Sequence, residues 1–276
     1  MHPAHRIIFT DLDGTLLDHH TYSFAPAEEA LAALRRQKTP LVLCTSKTRA
    51  EVELLRRKLG NTHPFITENG GGIFIPDGYF PRRVAGAAKL RHYSCLALGR
   101  PYEEICAEFD ALVQETGVSA EAFHQMSPRA IAENTGLSRQ EARRAAQREF
   151  DLPFFFAGSR HREQQRFRSA AQRRGLSLAQ GGRFWHLFAG GDKGKAARRL
   201  IQLFRAALPH SRLRTVALGD SPNDLPMLAA VDHPVLLPRR PHDFDDTLLD
   251  NLPRATQAPA PGPAGWNAAV LALLAD

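Results

Sequence analysis

Cysteine is scarce in this 276-residue chain: Cys44, Cys95 and Cys106 are the only three, and their spacing suits neither a disulfide framework nor a zinc site. Cys44 lies inside an apolar run, where a small buried hydrophobe fits. No run of about 18 apolar residues occurs, so no membrane-spanning helix is expected. The first residues, MHPAHRIIFTD, lead straight into an apolar segment ending in carboxylates, without the hydrophobic region of a signal peptide, and a cytoplasmic protein is expected. No internal repeat is visible.

What the chain does have is ordinary for a folded protein. Hydrophobic residues make up 43% and charged residues 24%, enough to bury a real core, and the length suits one large domain or a core with an inserted second one. The formal charge of +7 permits nucleic-acid binding, so the location of the excess matters. It is concentrated between Arg139 and Arg174, where ten arginines face four acidic residues. They fall at helical spacings among alanines and glutamines, as on a solvated helix face; a site for an anionic substrate or a nucleic acid is the alternative. With intact catalytic carboxylates elsewhere, no nucleic-acid partner is expected.

The order of elements points to an α/β fold. Arg6 to Thr10 is a short apolar, β-branched run ending at Asp11, and a helical pattern follows from Pro26 to Lys38. Pro40 to Cys44 is a second short strand, after which a helix runs from Arg49 to Leu59 and stops at Gly60. This βαβα order predicts a parallel sheet with crossover helices. Ile73 to Phe80 reads as a hairpin turning at Pro76-Asp77-Gly78. Strands return at Leu213 to Leu218 and Pro234 to Leu237, with a helix over Asp224 to Ala230 between them, and Trp266 to Leu274 closes the chain as a helix. Residues 82–188 differ in character, with helical segments rich in Glu, Ala and Arg between short apolar runs such as Tyr93 to Leu98 and Phe184 to Phe188. An inserted α+β cap over 82–188 is expected, with 1–81 and 189–276 as the core.

Four stretches carry chemistry. Asp11-Leu12-Asp13-Gly14-Thr15 stands where the first strand runs out, the place where open α/β sheets put their ligand crevices. A pair of carboxylates there fits phosphoryl transfer: one attacks phosphorus, and the other protonates the leaving alcohol and later accepts a proton from water. A magnesium ion between carboxylate and phosphate oxygens would offset their repulsion. Thr45-Ser46-Lys47-Thr48 opens a helix, where hydroxyls and free amides either hold phosphoryl oxygens or merely cap. Lys193, at the start of another helix, either neutralises a phosphoryl group beside Asp11 or is solvated. Asp220 and Asp224, flanking Asn223 at the end of a late strand, supply oxygen ligands suited to a hard cation. Asn69-Gly70-Gly71 is a tight turn or a substrate contact, and Gly181-Gly182-Arg183 a hairpin turn or a contact in which Arg183 forks a carboxylate. His19-His20 reads as a solvated loop and His186 as a partly buried residue of the insert.

Taken together and in order, these stretches resemble the four motifs of the haloacid dehalogenase superfamily: D-x-D-x-T at Asp11, Asp13 and Thr15, a Thr after a strand at Thr45, a Lys at Lys193, and GDxxxD at Gly219, Asp220 and Asp224. The resemblance implies a doubly wound, Rossmann-like core with an inserted α/β cap. It also implies Asp11 as nucleophile, Asp13 as acid/base, Thr45 with Lys193 around the phosphoryl group, and Mg2+ held by Asp11, Asp13 and Asp220 with Asp224. Ser46, Lys47, Asn69, Gly70, Arg183 and Asn223 are the candidate substrate contacts. Over nearly its whole length the chain is most similar to the mannosyl-3-phosphoglycerate phosphatases, through TSKT at 45–48, ENGGGIFIP at 68–76, GRPYEEI at 99–105, GGRFWHL at 181–187, GDSPNDLPML at 219–228 and GPAGWNAAV at 262–270. That likeness implies hydrolysis of a small phosphorylated sugar–glycerate, with mannosyl-3-phosphoglycerate leading and glucosyl-3-phosphoglycerate or sucrose phosphate as alternatives.

Overall fold

The computed structural model describes residues 5–181 and 184–275. Its elements run β1 (His5–Thr10), α1 (Glu28–Arg36), β2 (Leu41–Cys44), α2 (Arg49–Leu59), β3 (Phe65–Thr67), β4 (Gly72–Pro76), β5 (Ala88–Leu90) and β6 (Tyr93–Ala97), then α3 (Tyr102–Thr116), β7 (Ala120–Ala122), α4 (Pro128–Thr135), α5 (Arg139–Ala145), β8 (Asp151–Phe156), α6 (His161–Arg173), β9 (Ser177–Gly181) and β10 (Phe184–Phe188). The chain ends with α7 (Lys193–Ala207), β11 (Leu213–Gly219), α8 (Leu225–Leu228), β12 (His233–Leu236), α9 (Asp246–Asn251), β13 (Thr256–Gln257) and α10 (Gly262–Ala275). Among the described residues no helix is long and apolar enough to cross a membrane.

Two sheets organise these elements. The larger has nine strands in the order β13-β12-β11-β1-β2-β3-β4-β6-β5, parallel from β13 to β3 and antiparallel beyond. β1 is apolar on both faces because both are covered: Ile8 packs with Leu31, Val52 and Trp266 on the side of α1, α2 and α10, while Ile7 and Phe9 pack with Leu200, Phe204 and Leu228 on the side of α7 and α8. This is the doubly wound arrangement expected. The smaller sheet, β7-β8-β10-β9, is antiparallel and covered on one face by α3 and α6 through Phe109, Phe154, Phe167 and Leu187.

One expectation is corrected. The hairpin read at Ile73 to Phe80 does not return at Phe80; β4 ends at Pro76 and its antiparallel partner is β6, with Pro76 opposite Tyr93. Within 82–188, β5 and β6 extend the large sheet, and β7 to β10 make the second layer. The physical reason for the pairing is local. The free backbone edge of β4, with Ile73, Phe74 and Ile75 buried, needs a ladder partner, and the apolar run at 93–97 supplies it.

Local chemistry sets the helix starts. Thr48 caps α2 in a reciprocal box with Glu51, and Gly60 ends it in the left-handed region, φ 62°. Asp192 caps α7 by accepting from the Lys195 amide at 2.7 Å. Trp266 of α10, fully buried, donates its indole N–H to Thr10 Oγ1 at 3.0 Å and so braces the residue before Asp11.

Candidate active site

The carboxyl ends of β1, β2 and β11, together with the start of α7, converge at one place. Asp11 follows β1 and donates its amide to the Leu218 carbonyl of β11 at 3.0 Å, which ties the first and fourth motif strands together. Gly14 adopts φ +80°, and a Cβ there would stand 2.8 Å from a carboxylate oxygen of Asp220, so only glycine lets the Asp11–Thr15 loop lie against the Asp220 loop. Thr15 Oγ1 donates to Asp220 Oδ1 across the gap at 3.3 Å.

Lys193 is the hub. Its side chain is 1% exposed, and Nζ donates to Asp11 Oδ1 at 2.7 Å and to Asp224 Oδ1 at 2.6 Å. The solvated alternative for this lysine does not hold. Asp11, Asp220 and Asp224 bring one oxygen each within 4.8 Å of one another. Asp224 is already occupied, because its second oxygen accepts from the amides of Asp220 and Ser221. Burial and the neighbouring Asp224 push Asp11 well above the ordinary carboxylate range, and burial with Asp224 pushes Asp220 up to about 7. Burial works against charge on Lys193, but the two carboxylates on it outweigh that and hold it protonated. Three buried carboxyl groups thus crowd one ammonium, and two of them hold their protons more tightly than a free carboxyl does.

Asp13 stands outside that cluster. Its Oδ2 pairs with Lys47 Nζ at 2.9 Å, while its Oδ1 is buried without a hydrogen-bond partner. Burial opposes the charge on Lys47, but Asp13 and Glu51 keep it protonated, and the ammonium also lies 4.9 Å from the centre of the Tyr22 ring. Of the second-motif residues, Thr48 does the helix capping; Thr45, 1% exposed, instead accepts from the Lys47 amide at 3.2 Å and sits at the end of β2 beside Asp11.

Residues 68–70 join this floor to the smaller sheet. Glu68 and Asn69, with φ +50° and +54°, both occupy the left-handed region that non-glycine residues avoid. Their contacts explain the strain. The Glu68 and Asn69 amides donate to the carbonyls of Lys47 and Thr45, and a Cβ on Gly70 would lie 2.2 Å from the Asp192 backbone. Glu68, fully buried, accepts three successive amides, those of Glu149, Phe150 and Asp151, at 2.8 to 3.1 Å. Asn69 donates to Asp151 Oδ2 at 2.9 Å and is approached by Asn223 Nδ2 at 3.5 Å. Arg148, its side chain 4% exposed, donates to the Ser46 carbonyl at 2.8 Å and places Nη2 3.0 Å from Asp151 Oδ1, an ion-pair contact off the hydrogen-bond line. Although burial opposes it, Arg148 and then His186 hold Asp151 below the ordinary carboxylate range.

The sequence thus points to Asp11, Asp13, Thr45, Ser46, Lys47, Asn69, Gly70, Lys193, Asp220, Asn223 and Asp224, and the structure joins Asp11, Lys193, Asp220 and Asp224 in one cluster, pairs Asp13 with Lys47, and brings Asn69 to Asn223. Arg183 lies outside the described residues. Glu68, Arg148 and Asp151 had escaped the sequence reading. Arg148 belongs to the arginine-rich stretch taken as a solvated face, which Arg174 does fit, pairing with Glu108 at 3.1 Å and Glu115 at 2.6 Å across α3. The available signal was an aspartate opening an otherwise apolar strand, DLPFFF.

Glu68 gives a stability prediction. Burial, opposed by Arg148, raises its carboxyl from the ordinary 4.5 to about 7. Between those values the folded protein binds more protons than the unfolded chain, so stability falls as pH rises from 4.5 toward 7. Glu68→Gln is expected to remove its share of that slope, read as a flatter dependence of melting temperature on pH; an unchanged slope would assign it to Asp220 instead.

Comparison with known proteins agrees with the geometry. The profile of haloacid dehalogenase-like hydrolases matches residues 8–80, which span the first two motifs. A glucosyl-3-phosphoglycerate/mannosyl-3-phosphoglycerate phosphatase of Methanococcoides burtonii is 38% identical over 268 residues, 97% of each chain. One of the same name from Persephonella marina is 37% identical over 269 residues, again 97% of each. A solved structure from Thermoplasma acidophilum has the same fold, with TM-score 0.69 at 17% identity and 99% of both chains covered. Identity of this extent, over 97% of each chain, means that the chain belongs to the glucosyl/mannosyl-3-phosphoglycerate phosphatase family of haloacid dehalogenase-like hydrolases.

Proposed function

We propose that the protein is a cytoplasmic, magnesium-dependent phosphomonoesterase that converts 2-O-mannosyl-3-phosphoglycerate to mannosylglycerate and phosphate. The observation that carries this reading is the buried convergence of Asp11, Lys193, Asp220 and Asp224 beside the Asp13–Lys47 pair. In this reading 1–81 and 189–276 form the catalytic core, and the insert 82–188 carries the cap that selects the substrate.

In the first step an Asp11 oxygen attacks phosphorus, the bond from phosphorus to the ester oxygen breaks, and Asp13 gives its proton to the departing alkoxide. Its partnerless Oδ1 is the oxygen available for that exchange, while Lys47 fixes Oδ2. In the second step water attacks the aspartyl phosphate, Asp13 takes the proton back, and Asp11 is released with phosphate. The Thr45 hydroxyl holds a phosphoryl oxygen in this reading, and Lys193 offsets its charge. The donor set fits a hard divalent cation, since Asp11, Asp220 and Asp224 bring one buried carboxylate oxygen each within 4.8 Å of one another. Bound there, Mg2+ would supply charge neutralisation at the phosphoryl oxygens. Ser46, Asn69, Gly70 and Asn223 line the approach, and Arg183 is our candidate for the glycerate carboxylate, which a guanidinium can hold with two parallel hydrogen bonds.

Both the glucosyl and the mannosyl ester stand in the relatives' printed name, which supports glucosyl-3-phosphoglycerate as a second substrate. The test is phosphate release across a panel of the two glycosyl-3-phosphoglycerates, sucrose phosphate and p-nitrophenyl phosphate. The glycosyl-3-phosphoglycerates are expected to lead in kcat/KM by about tenfold or more, on the order of one charge-assisted contact to the glycerate. A preference for sucrose phosphate would overturn the substrate. Exhaustive chelation is expected to abolish release and added Mg2+ to restore it, whereas full activity in chelator would remove the cation from the reading.

A further inference from the structure

We propose that His186, seated on Asp151, is a specificity-determining residue that accepts a hydrogen bond from a hydroxyl of the sugar on the substrate's non-reacting side. The inference rests on the phosphatase reading above and extends it to the cap. It begins from the faces of the smaller sheet. His186 of β10 stands opposite Pro153 of β8 and Ala179 of β9, whereas Leu187 stands opposite Leu152 and Leu178. Leu152 and Leu187 are buried with Phe109 and Phe167 of α3 and α6, so His186 lies on the other face of the sheet, the one those helices leave open. That same face carries Asp151, which faces Phe188 in the register.

This open face turns toward the catalytic floor. Asp151 accepts from Asn69 at 2.9 Å, Asn69 is 3.5 Å from Asn223 of the fourth motif, and β9 packs against the turn Pro222–Asp224. His186 Nδ1 is 3.0 Å from Asp151 Oδ2, and a carboxylate can only accept, so Nδ1 carries the proton and donates it. The ring is thereby fixed in one tautomer, with a lone pair on Nε2 in the neutral form. Nε2 has no hydrogen-bond partner among the described residues, yet it is not one of the fully buried polar atoms left unsatisfied. His186 is 8% exposed, and an oriented acceptor without a partner among the described residues suits a hydroxyl donor. The half-buried rings of Phe155 and Phe184, 5.9 Å apart on the same face, add the apolar wall that the carbon face of a sugar ring requires.

Two amides separate substrate contact from structural support. Asn at position 186 can replace Nδ1 and keep the bond to Asp151, but it has nothing at the place of Nε2; Gln reaches the place of Nε2 and gives up the bond. His186→Asn is expected to fold with the wild-type melting temperature, to raise KM for mannosyl-3-phosphoglycerate by on the order of tenfold, and to leave p-nitrophenyl phosphate hydrolysis unchanged. His186→Gln is expected to lie closer to wild type in that KM. The reverse order, Asn active and Gln impaired, would show that His186 only supports Asp151 and would overturn the proposal. So would equal losses on both esters, or failure of His186→Asn to fold. Wild-type enzyme run in parallel keeps the two ideas apart: if it ignores glycosyl-3-phosphoglycerates, the substrate reading fails by itself, and the same pair of variants is compared on whichever sugar phosphate the wild type prefers.

Discussion

Asp11→Asn is expected to lower turnover by on the order of 10^4-fold or more, the scale seen when a covalent nucleophile is removed, while leaving the fold intact and the melting temperature at or above that of the wild type. An amide is not a nucleophile at phosphorus, so the first step has no substitute. The stability half follows from the crowding of Asp11, Asp220 and Asp224, whose oxygens meet within 4.8 Å under burial, with Lys193 as the one ammonium among them. Neutralising one member relieves repulsion and still leaves Lys193 its bond to Asp224. Single-turnover phosphate release and thermal unfolding of the same preparation check both halves. Substantial residual hydrolysis in protein free of contaminating phosphatase would rule out the aspartyl-phosphate route.

Lys193→Met should be damaging in both respects. The substitution conserves much of the volume but strips the partner from two buried carboxylates, Asp11 and Asp224, at 2.7 and 2.6 Å. Breaking a buried pair from one side typically costs about 3 to 5 kcal/mol. The loss should shrink as pH falls from 7 toward 5, because Asp11 already sits high and its freed carboxyl takes a proton, which ends the unpaired charge. Combining the change with Asp224→Asn should recover stability by removing one of the stranded charges. It should not recover turnover, since the ammonium beside Asp11 that offsets phosphoryl charge is still missing. Chemical denaturation of the single and double variants at pH 7 and pH 5 provides the comparison; a double variant no more stable than the single would place the cost in packing.

The contrast between what could and could not be read in advance has a physical basis. The helix from Arg49 to Gly60 was legible because its box, its periodicity and its left-handed stop are all local. The motif stretches at Asp11, Thr45 and Asp220 were legible for the same reason, each being a strand end with its own loop. The run at 93–98 reads only as a short apolar stretch of the expected insert, because such a run says nothing about which sheet edge it will satisfy, and in the structure β4 claims it as β6. The same blindness hid Glu68, Arg148 and Asp151. A charge is tolerated inside only when distant groups meet it, and the amides of residues 149–151 lie some eighty positions from Glu68 in the chain. Lys193 was recognisable only through its company, since one lysine at a helix start reads equally well as solvated.

The way Glu68 is held has one more consequence, for how such enzymes diversify. Its carboxylate grips the upper layer by three main-chain amides and by no side chain of residues 149–151. Every amino acid except proline presents that amide, so substitutions at 149–151 leave this one fastening in place, while the side-chain contacts beside it, Asn69 with Asp151 and Arg148 with the Ser46 carbonyl, depend on sequence. The lower layer carries the fixed half of the amide fastening and the upper layer a generic one. A foreign upper layer grafted onto this scaffold would need three consecutive amides at the start of the strand that replaces β8 to meet Glu68 in the same way. Selectivity could then drift while the phosphoryl chemistry beneath it stayed unaltered.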